Sequence, residues 1–444
     1  MRCWSLLGAE MGMGKTVLFA AVAMLAALGA TASASGADAK SCTAELQRMI
    51  DGASANGGGR VNVPKGDHFV RCLILKSGVE LHLESGARLI GSRNPDDYIV
   101  DLSGTSCSER VLQRRYNAII RIIGGRDISI VGEPGSEIYG RNCYDAAGEE
   151  GYRGPHAITA FAATNLVLRG CTVRAAGNYS FYARDCSNVT VVDMAVHGGH
   201  DGLDFFCCRN VLVEKSRLFS GDDCVAGYGN VGLVVRDCEV NTSCSLFRVG
   251  GTGVLVENCH GSAPGVNPHR WWLTPEEKRL ETTPAGAGRH NTLSVFTHFS
   301  NKSVSVPSSN VVFRNCRFSG VDRVVHYNMS GNELWQSGKG LADLTFDNVV
   351  VEDALLPLAA YGAHETPLRL TARNCVFTFR KPVAALVRGA YVCEIDFDNV
   401  TVKGVEGPAM LNWGGGEPKL KFKSVEGVPA RANDAVGQFE CDPI

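Results

Sequence analysis

Two short stretches of the chain carry carboxylates at a spacing suited to acid–base chemistry: His200-Asp201-Gly202-Leu203-Asp204 and Ser220-Gly221-Asp222-Asp223-Cys224. Asp201 and Asp222 are 21 residues apart. If the backbone closes a loop of that length and stacks it, Asp201 comes to lie beside the Asp222–Asp223 pair. Carboxylates this close repel, so at least one should have a raised pKa and keep its proton near neutrality. One protonated acid with one or two ionised carboxylates is what glycoside cleavage needs. One group protonates the leaving oxygen, and another activates water or attacks the sugar. The plainer alternative is a ladder of turn aspartates, which bond their own backbone. The grouping of these acids, one period apart and away from the Asn-marked turns, favours catalysis.

The elements that must position them are repeats. Asn165-Leu-Val-Leu, Asn188-Val-Thr-Val, Asn210-Val-Leu-Val, Val231-Gly-Leu-Val-Val and Gly253-Val-Leu-Val follow one another at steps of 20 to 23 residues. Each is a turn residue, then alternating apolar residues, then a small or polar stop. Asn310-Val-Val-Phe, Leu344-Thr-Phe, Leu368-Arg-Leu-Thr and Ile395-Asp-Phe continue the pattern more loosely. Strands this short at such a period predict an all-β solenoid, a right-handed single-stranded parallel β-helix whose coils stack ~4.8 Å apart. The Leu-x-x-Leu-x-Leu frame of leucine-rich repeats is absent. A helix is expected over Thr43–Ala55, with Thr43 as N-cap, Leu46, Met49, Ile50 and Ala53 on one face, and Gly57-Gly58-Gly59 as its stop. It is placed to cap the exposed first coil.

Two stretches break the rhythm. Tyr139–Pro155 is rich in glycine and charge; Ser262–Asn291 carries four prolines and the Trp271-Trp272 pair. Insertions of this kind usually emerge on one face of a solenoid and build its binding site. The tryptophans are either a sugar-stacking platform or anchors for their own loop.

Of the 17 cysteines, Cys171, Cys238, Cys259, Cys316 and Cys375 each end a strand pattern, which points to buried thiols stacked along the core. Pairs among Cys42, Cys72, Cys107, Cys143 and Cys441 stay open, and the adjacent Cys207 and Cys208 are not expected to bridge. The net charge of −2 and the lack of a basic stripe argue against nucleic acid. Lys15, the apolar run Thr16–Leu28 and the small-x-small triplet Ala32-Ser33-Ala34 form an export signal, so residues 1–39 read as a leader. Residues 40–444 read as one domain, periplasmic or secreted, with no membrane span after cleavage and a monomeric state expected.

The chain resembles glycoside hydrolase family 28, the polygalacturonase and rhamnogalacturonase group. Ile50-Asp51, Gly57-Gly58-Gly59-Arg60-Val61-Asn62-Val63-Pro64-Lys65-Gly66 and the stretch Leu75 to Ala87 are similar to the family's opening coils. Gly221-Asp222-Asp223-Cys224 resembles its Gly-Asp-Asp motif, and Asp201-Gly202-Leu203-Asp204 the second half of its Asn-Thr-Asp-Gly motif. The likeness covers roughly Cys42 to Asn328. It implies that Asp201, Asp222 and Asp223 are the three family acids. It further implies inverting hydrolysis of a pectic or related plant polysaccharide, with Asp223 as general acid and Asp222 or Asp201 as base, and no cofactor or metal. Inversion asks for carboxyls ~6.5–9.5 Å apart.

Three departures bear on the substrate. Gly199-His200 replaces Asn-Thr; Ser243-Cys244-Ser245 stands where the family has Gly-His-Gly; and His269-Arg270 falls near an Arg-x-Lys motif that is not intact. These argue for a sugar or linkage other than polygalacturonan. His200 is either a stand-in for the imidazole missing at Cys244 or a spectator. Arg248, one coil past the acids, is either a bidentate partner for a uronate carboxylate or a structural ion pair. Arg153 and His156, with Asp204, His269, Arg270 and Cys244, are the remaining candidates for substrate contact, and His326-Tyr327-Asn328 for the far wall. Two other readings remain: a β-helix lyase in which the acids hold Ca²⁺, and a non-catalytic carbohydrate-binding solenoid.

Overall fold

The computed structural model describes residues 36–100, 112–329 and 336–435, with side chains from Cys42 onward. The expected leader features Thr16–Leu28 and Ala32–Ala34, together with Cys107 and Cys441, lie outside the described residues.

Among the described residues thirty-two strands pair in parallel, each with strands on the neighbouring coils. They form three ladders. In one, Leu166, Val189, Val211, Leu233, Val254 and Val311 lie in register on successive coils, and all are buried. A coil's apolar residues therefore meet the next coil rather than one another. This is why no single repeat is stable alone, and why the period shows so plainly in the sequence. The turn asparagines Asn165, Asn188 and Asn210 have φ of 56°, 54° and 54°, a left-handed conformation that Asn tolerates better than other side chains. Their amides also stack: Asn188 Nδ2 donates to Asn165 Oδ1 at 3.0 Å and Asn210 Nδ2 to Asn188 Oδ1 at 3.1 Å.

The strand-end cysteines are free, buried thiols. Cys238, Cys259, Cys316 and Cys375 each donate to the carbonyl two residues earlier, at 3.2, 3.3, 3.1 and 3.0 Å. Cys42, Cys72, Cys143, Cys207 and Cys208 are likewise unbridged.

The N-terminal helix runs Gly36–Ala55, longer than the expected Thr43–Ala55. Thr43 is thus inside the helix and not its cap, and its hydroxyl accepts instead from the Arg71 backbone N–H at 2.9 Å. Leu46 and Ile50 face the core, but Met49 is 44% exposed, because the docking stripe is narrower than the apolar one. Gln47 takes the place of a neighbouring strand. Its Oε1 accepts from Ile74 N at 2.8 Å and its Nε2 donates to Ile74 O at 3.0 Å, satisfying an edge that would otherwise lack partners.

Candidate active site

The strands Leu203–Phe206, Val225–Arg236 and Ser245–Glu257 begin on successive coils. Leu203 pairs with Val225, and Val225 with Phe247. The turns just before them carry Asp201, the Asp222–Asp223 pair and Cys244. Gly202 N donates to Asp223 O at 2.8 Å, which locks the two acidic turns together. Carboxylate oxygens of Asp201, Asp222 and Asp223 lie within 4.8 Å of one another, as the period predicts. Asp204 is close enough to Asp201 and Asp223 for the three to perturb one another. All four acids are at most 5% exposed.

Their surroundings differ. Asp222 stays ionised despite its burial, held well below the ordinary carboxylate range by His269, whose Nε2 is 3.4 Å from Oδ2, and by Arg153, whose Nη2 is 3.3 Å from the same oxygen. Burial raises Asp201 well above that range, with Asp204, Asp222 and Asp223 adding repulsion. Burial and Asp223 do the same to Asp204. Burial also raises Asp223, opposed by Arg248, whose Nη1 is 3.1 Å from Oδ2, and assisted by Asp222. Ser245 N donates to Asp223 Oδ1 at 3.0 Å. The site thus sets a carboxyl held low beside one raised on the adjacent residue, the kind of asymmetry that concerted acid–base work requires.

Both insertions close over the acids and grip one another. Arg270 donates to Asn142 O at 3.4 Å and Lys278 O at 3.2 Å, while Arg141 pairs with Glu281. Arg270 is 2% exposed, burial lowers its pKa to about 10, and it serves this clamp rather than the acids. Arg153 comes down from the first insertion, its guanidinium 5.5 Å over Tyr152 and 5.3 Å over Tyr179. Tyr152 forms the roof: it meets His200 edge-on at 5.2 Å and Trp271 at 4.9 Å. Trp271 and Trp272 are 51% and 54% exposed beside this roof.

His200 is fully buried and neither ring nitrogen has a hydrogen-bond partner; burial, then Arg153 and Arg270, keep it neutral. His156 lies away from the acids. It is wedged between backbone segments, with Nε2 2.9 Å from Arg115 O and Nδ1 accepting from Tyr179 N at 3.2 Å, and burial lowers its pKa to about 3. Cys244 stands beside Asp222 and His269, and burial with the two neighbouring acids keeps its thiol protonated. Arg248 stacks 4.1 Å over Phe299. Sequence reading missed Tyr152 and Tyr179, since aromatic residues in or beside an aperiodic insertion carry no register.

Among the described residues two groups have donor sets a cation could use: Asp201/Asp222/Asp223 and Asp222/Cys244/His269. In the first, Arg153 and Arg248 already supply the positive charge. In the second, His269 Nδ1 accepts from Trp271 N at 3.2 Å, so in the neutral ring Nε2 bears hydrogen and offers no lone pair.

A family description, "Right handed beta helix region", matches residues 117–264, giving the solenoid its hand. A polygalacturonase of Saccharomyces cerevisiae is 26% identical over 193 residues, covering 37% of this chain and 54% of its own length. A probable endopolygalacturonase of Neosartorya fischeri is 24% identical over 251 residues, covering 51% and 60%. Over part of its length the chain is similar to these polygalacturonases. It spans little more than half the length of either curated protein. The family 28 exopolygalacturonase of Yersinia enterocolitica superposes with a TM-score of 0.58 at 18% identity, over 88% of this chain and 76% of that one. The two share a fold over that span. Among the described residues no helix is long and apolar enough to cross a membrane.

Proposed function

We propose that the chain is a glycoside hydrolase acting on a pectic or related plant polysaccharide. Asp223 donates the proton to the leaving oxygen and Asp222 activates the attacking water. The observation that carries this reading is the split environment of adjacent acids. Asp222 is held ionised by Arg153 and His269, while Asp223, fully buried, leans toward its protonated form. Burial and the neighbouring acids raise both Asp201 and Asp204, which favours a proton on that pair. A Ca²⁺-dependent lyase is disfavoured, because two guanidiniums sit against the carboxylates a cation would need. A purely binding solenoid gives no reason to bury four carboxyls together, an arrangement that strains the fold.

Product analysis of the mature protein on a panel of pectic polysaccharides and oligosaccharides, beside Asp223→Asn, tests the proposal. Saturated reducing ends made by the wild type, and reduced on the order of 10²–10⁴-fold in the variant, are expected; equal turnover would remove Asp223 from the mechanism. The nearest carboxylate oxygens, within 4.8 Å, are closer than the ~6.5–9.5 Å between inverting carboxyls. Proton NMR of the first-formed anomer reads the stereochemistry directly: inversion is what the family 28 resemblance implies, and retention is what this spacing favours.

A further inference from the structure

His269 reaches Asp222 from an element the repeat does not supply. It is the N-cap of the short turn Arg270–Trp272, and its Nδ1 accepts the Trp271 backbone N–H at 3.2 Å. A neutral imidazole has one donor and one acceptor nitrogen. With Nδ1 accepting, Nε2 carries the hydrogen, and that nitrogen is the one 3.4 Å from Asp222 Oδ2. The ring cannot drift far. His269 N donates to Arg289 O at 2.9 Å, Arg289 in turn reaches Ser243 O at 3.4 Å, and the side chain is only 13% exposed. The other carboxylate oxygen, Oδ1, accepts from Asp223 N at 3.1 Å. Both oxygens of Asp222 are thus held by donors on opposite sides, with Arg153 alongside Oδ2.

We infer that His269 is a positioning residue for Asp222, donating from Nε2 to fix the plane of that carboxylate and its charged form. The inference rests on the hydrolase reading for its consequence but not for its geometry. It assigns to an insertion a contact that the coil itself, with Cys244 beside the same acid, leaves to a thiol.

Two measurements test it. His269→Asn keeps a side chain that caps the turn but is too short to reach Asp222. It should lower kcat on the order of 10–100-fold with KM little changed and an unaltered melting temperature. The Cys244→His/His269→Asn double variant, which returns an imidazole to the neighbouring coil, should recover most of that loss. Activity of His269→Asn within twofold of the wild type would overturn the assignment, as would a loss carried in KM alone or no recovery in the double variant. Independently of turnover, long-range ¹H–¹⁵N spectra of histidine-labelled wild type should show His269 as the Nε2–H tautomer; an Nδ1–H ring would overturn it. A wild type inactive on every glycan would sink the hydrolase reading, and the tautomer would still decide this one.

Discussion

Replacing Arg248 by Met asks whether Asp223 is the acid that must hold a proton. Arg248 Nη1 lies 3.1 Å from Asp223 Oδ2, with the acid fully buried and the arginine side chain 22% exposed. Methionine keeps much of the stem packed on Phe299 and removes the charge. Deleting one partner of a buried pair costs about 3–5 kcal/mol if the other must stay charged. Asp223 has an alternative: its carboxyl, already raised by burial against the pull of Arg248, rises further and keeps its proton. The folded variant then binds a proton that the unfolded chain, with a carboxyl pKa of about 3.9, releases. Stability therefore falls as pH rises above that value, by about 1.4 kcal/mol per pH unit, until the folded pKa of the variant is passed. The expected deficit against wild type is about 1 kcal/mol near pH 4, from the lost cation–π contact, growing toward the ~3–5 kcal/mol ceiling at neutral pH and above. Urea unfolding of both proteins at acid and neutral pH reads it. The alkaline limb of kcat/KM should move upward in parallel. A deficit of the same size at every pH, or an unmoved limb, would refute the placing of the proton on Asp223.

Two further expectations concern the scaffold. Asn188→Ala removes both amide bonds of the ladder and puts Ala at a φ of 54°. It should cost about 2–3 kcal/mol, of which about 1–2 is backbone strain. Asn188→Gly, which relieves the strain, should lose clearly less in the same urea titration, and equal losses would place the whole effect in the amides. Among the described cysteines only Cys393 is classed as exposed. Peptide mapping after brief alkylation of native protein should therefore find it labelled first, with the strand-end thiols protected until unfolding; early labelling of Cys238 or Cys259 would contradict the stacked core.

What was legible in the sequence is what the period controls. Leu166, Val189 and Val211 announce their column because each must face the same residue type one coil on, and Asp201 meets Asp223 for the same reason. Side chains on insertions obey no such rule. Arg153 and His156 are three residues apart and both were expected at the site, yet Arg153 turns in to Asp222 while His156 begins a strand and lodges between backbones. His200 and His269 show the same limit. The histidine adjacent to the acid in sequence touches no hydrogen-bond partner, and the one that contacts Asp222 arrives from 47 residues further along. The local signal for it was slight: a polar residue at the start of a turn, which fixes one ring nitrogen and therefore aims the other.

Charge counting ties the buried groups together. Asp201, Asp204, Asp222 and Asp223 face two permanent cations, Arg153 and Arg248, and none of the four acids is more than 5% exposed. Four ionised carboxylates would leave two negative charges uncompensated in a region that water scarcely reaches, which is costly. Two carboxyl protons restore balance. One of them falls to the Asp201–Asp204 pair, because burial and the surrounding acids raise both carboxyls well above the ordinary range. Asp222 is the acid held ionised. The second proton therefore belongs to Asp223, raised by burial against the pull of Arg248, and in a coupled cluster of this kind it is released in a step that belongs to the group rather than to one acid. On Asp223 it is ready for a leaving oxygen. Arg248→Met strengthens the hold of Asp223 on that proton by removing the cation that competes with it, whereas His269→Asn leaves Arg248 in place and removes a contact of Asp222. The first variant should therefore extend the alkaline limb of kcat/KM with the plane of Asp222 intact, and the second should lower kcat by disturbing that plane.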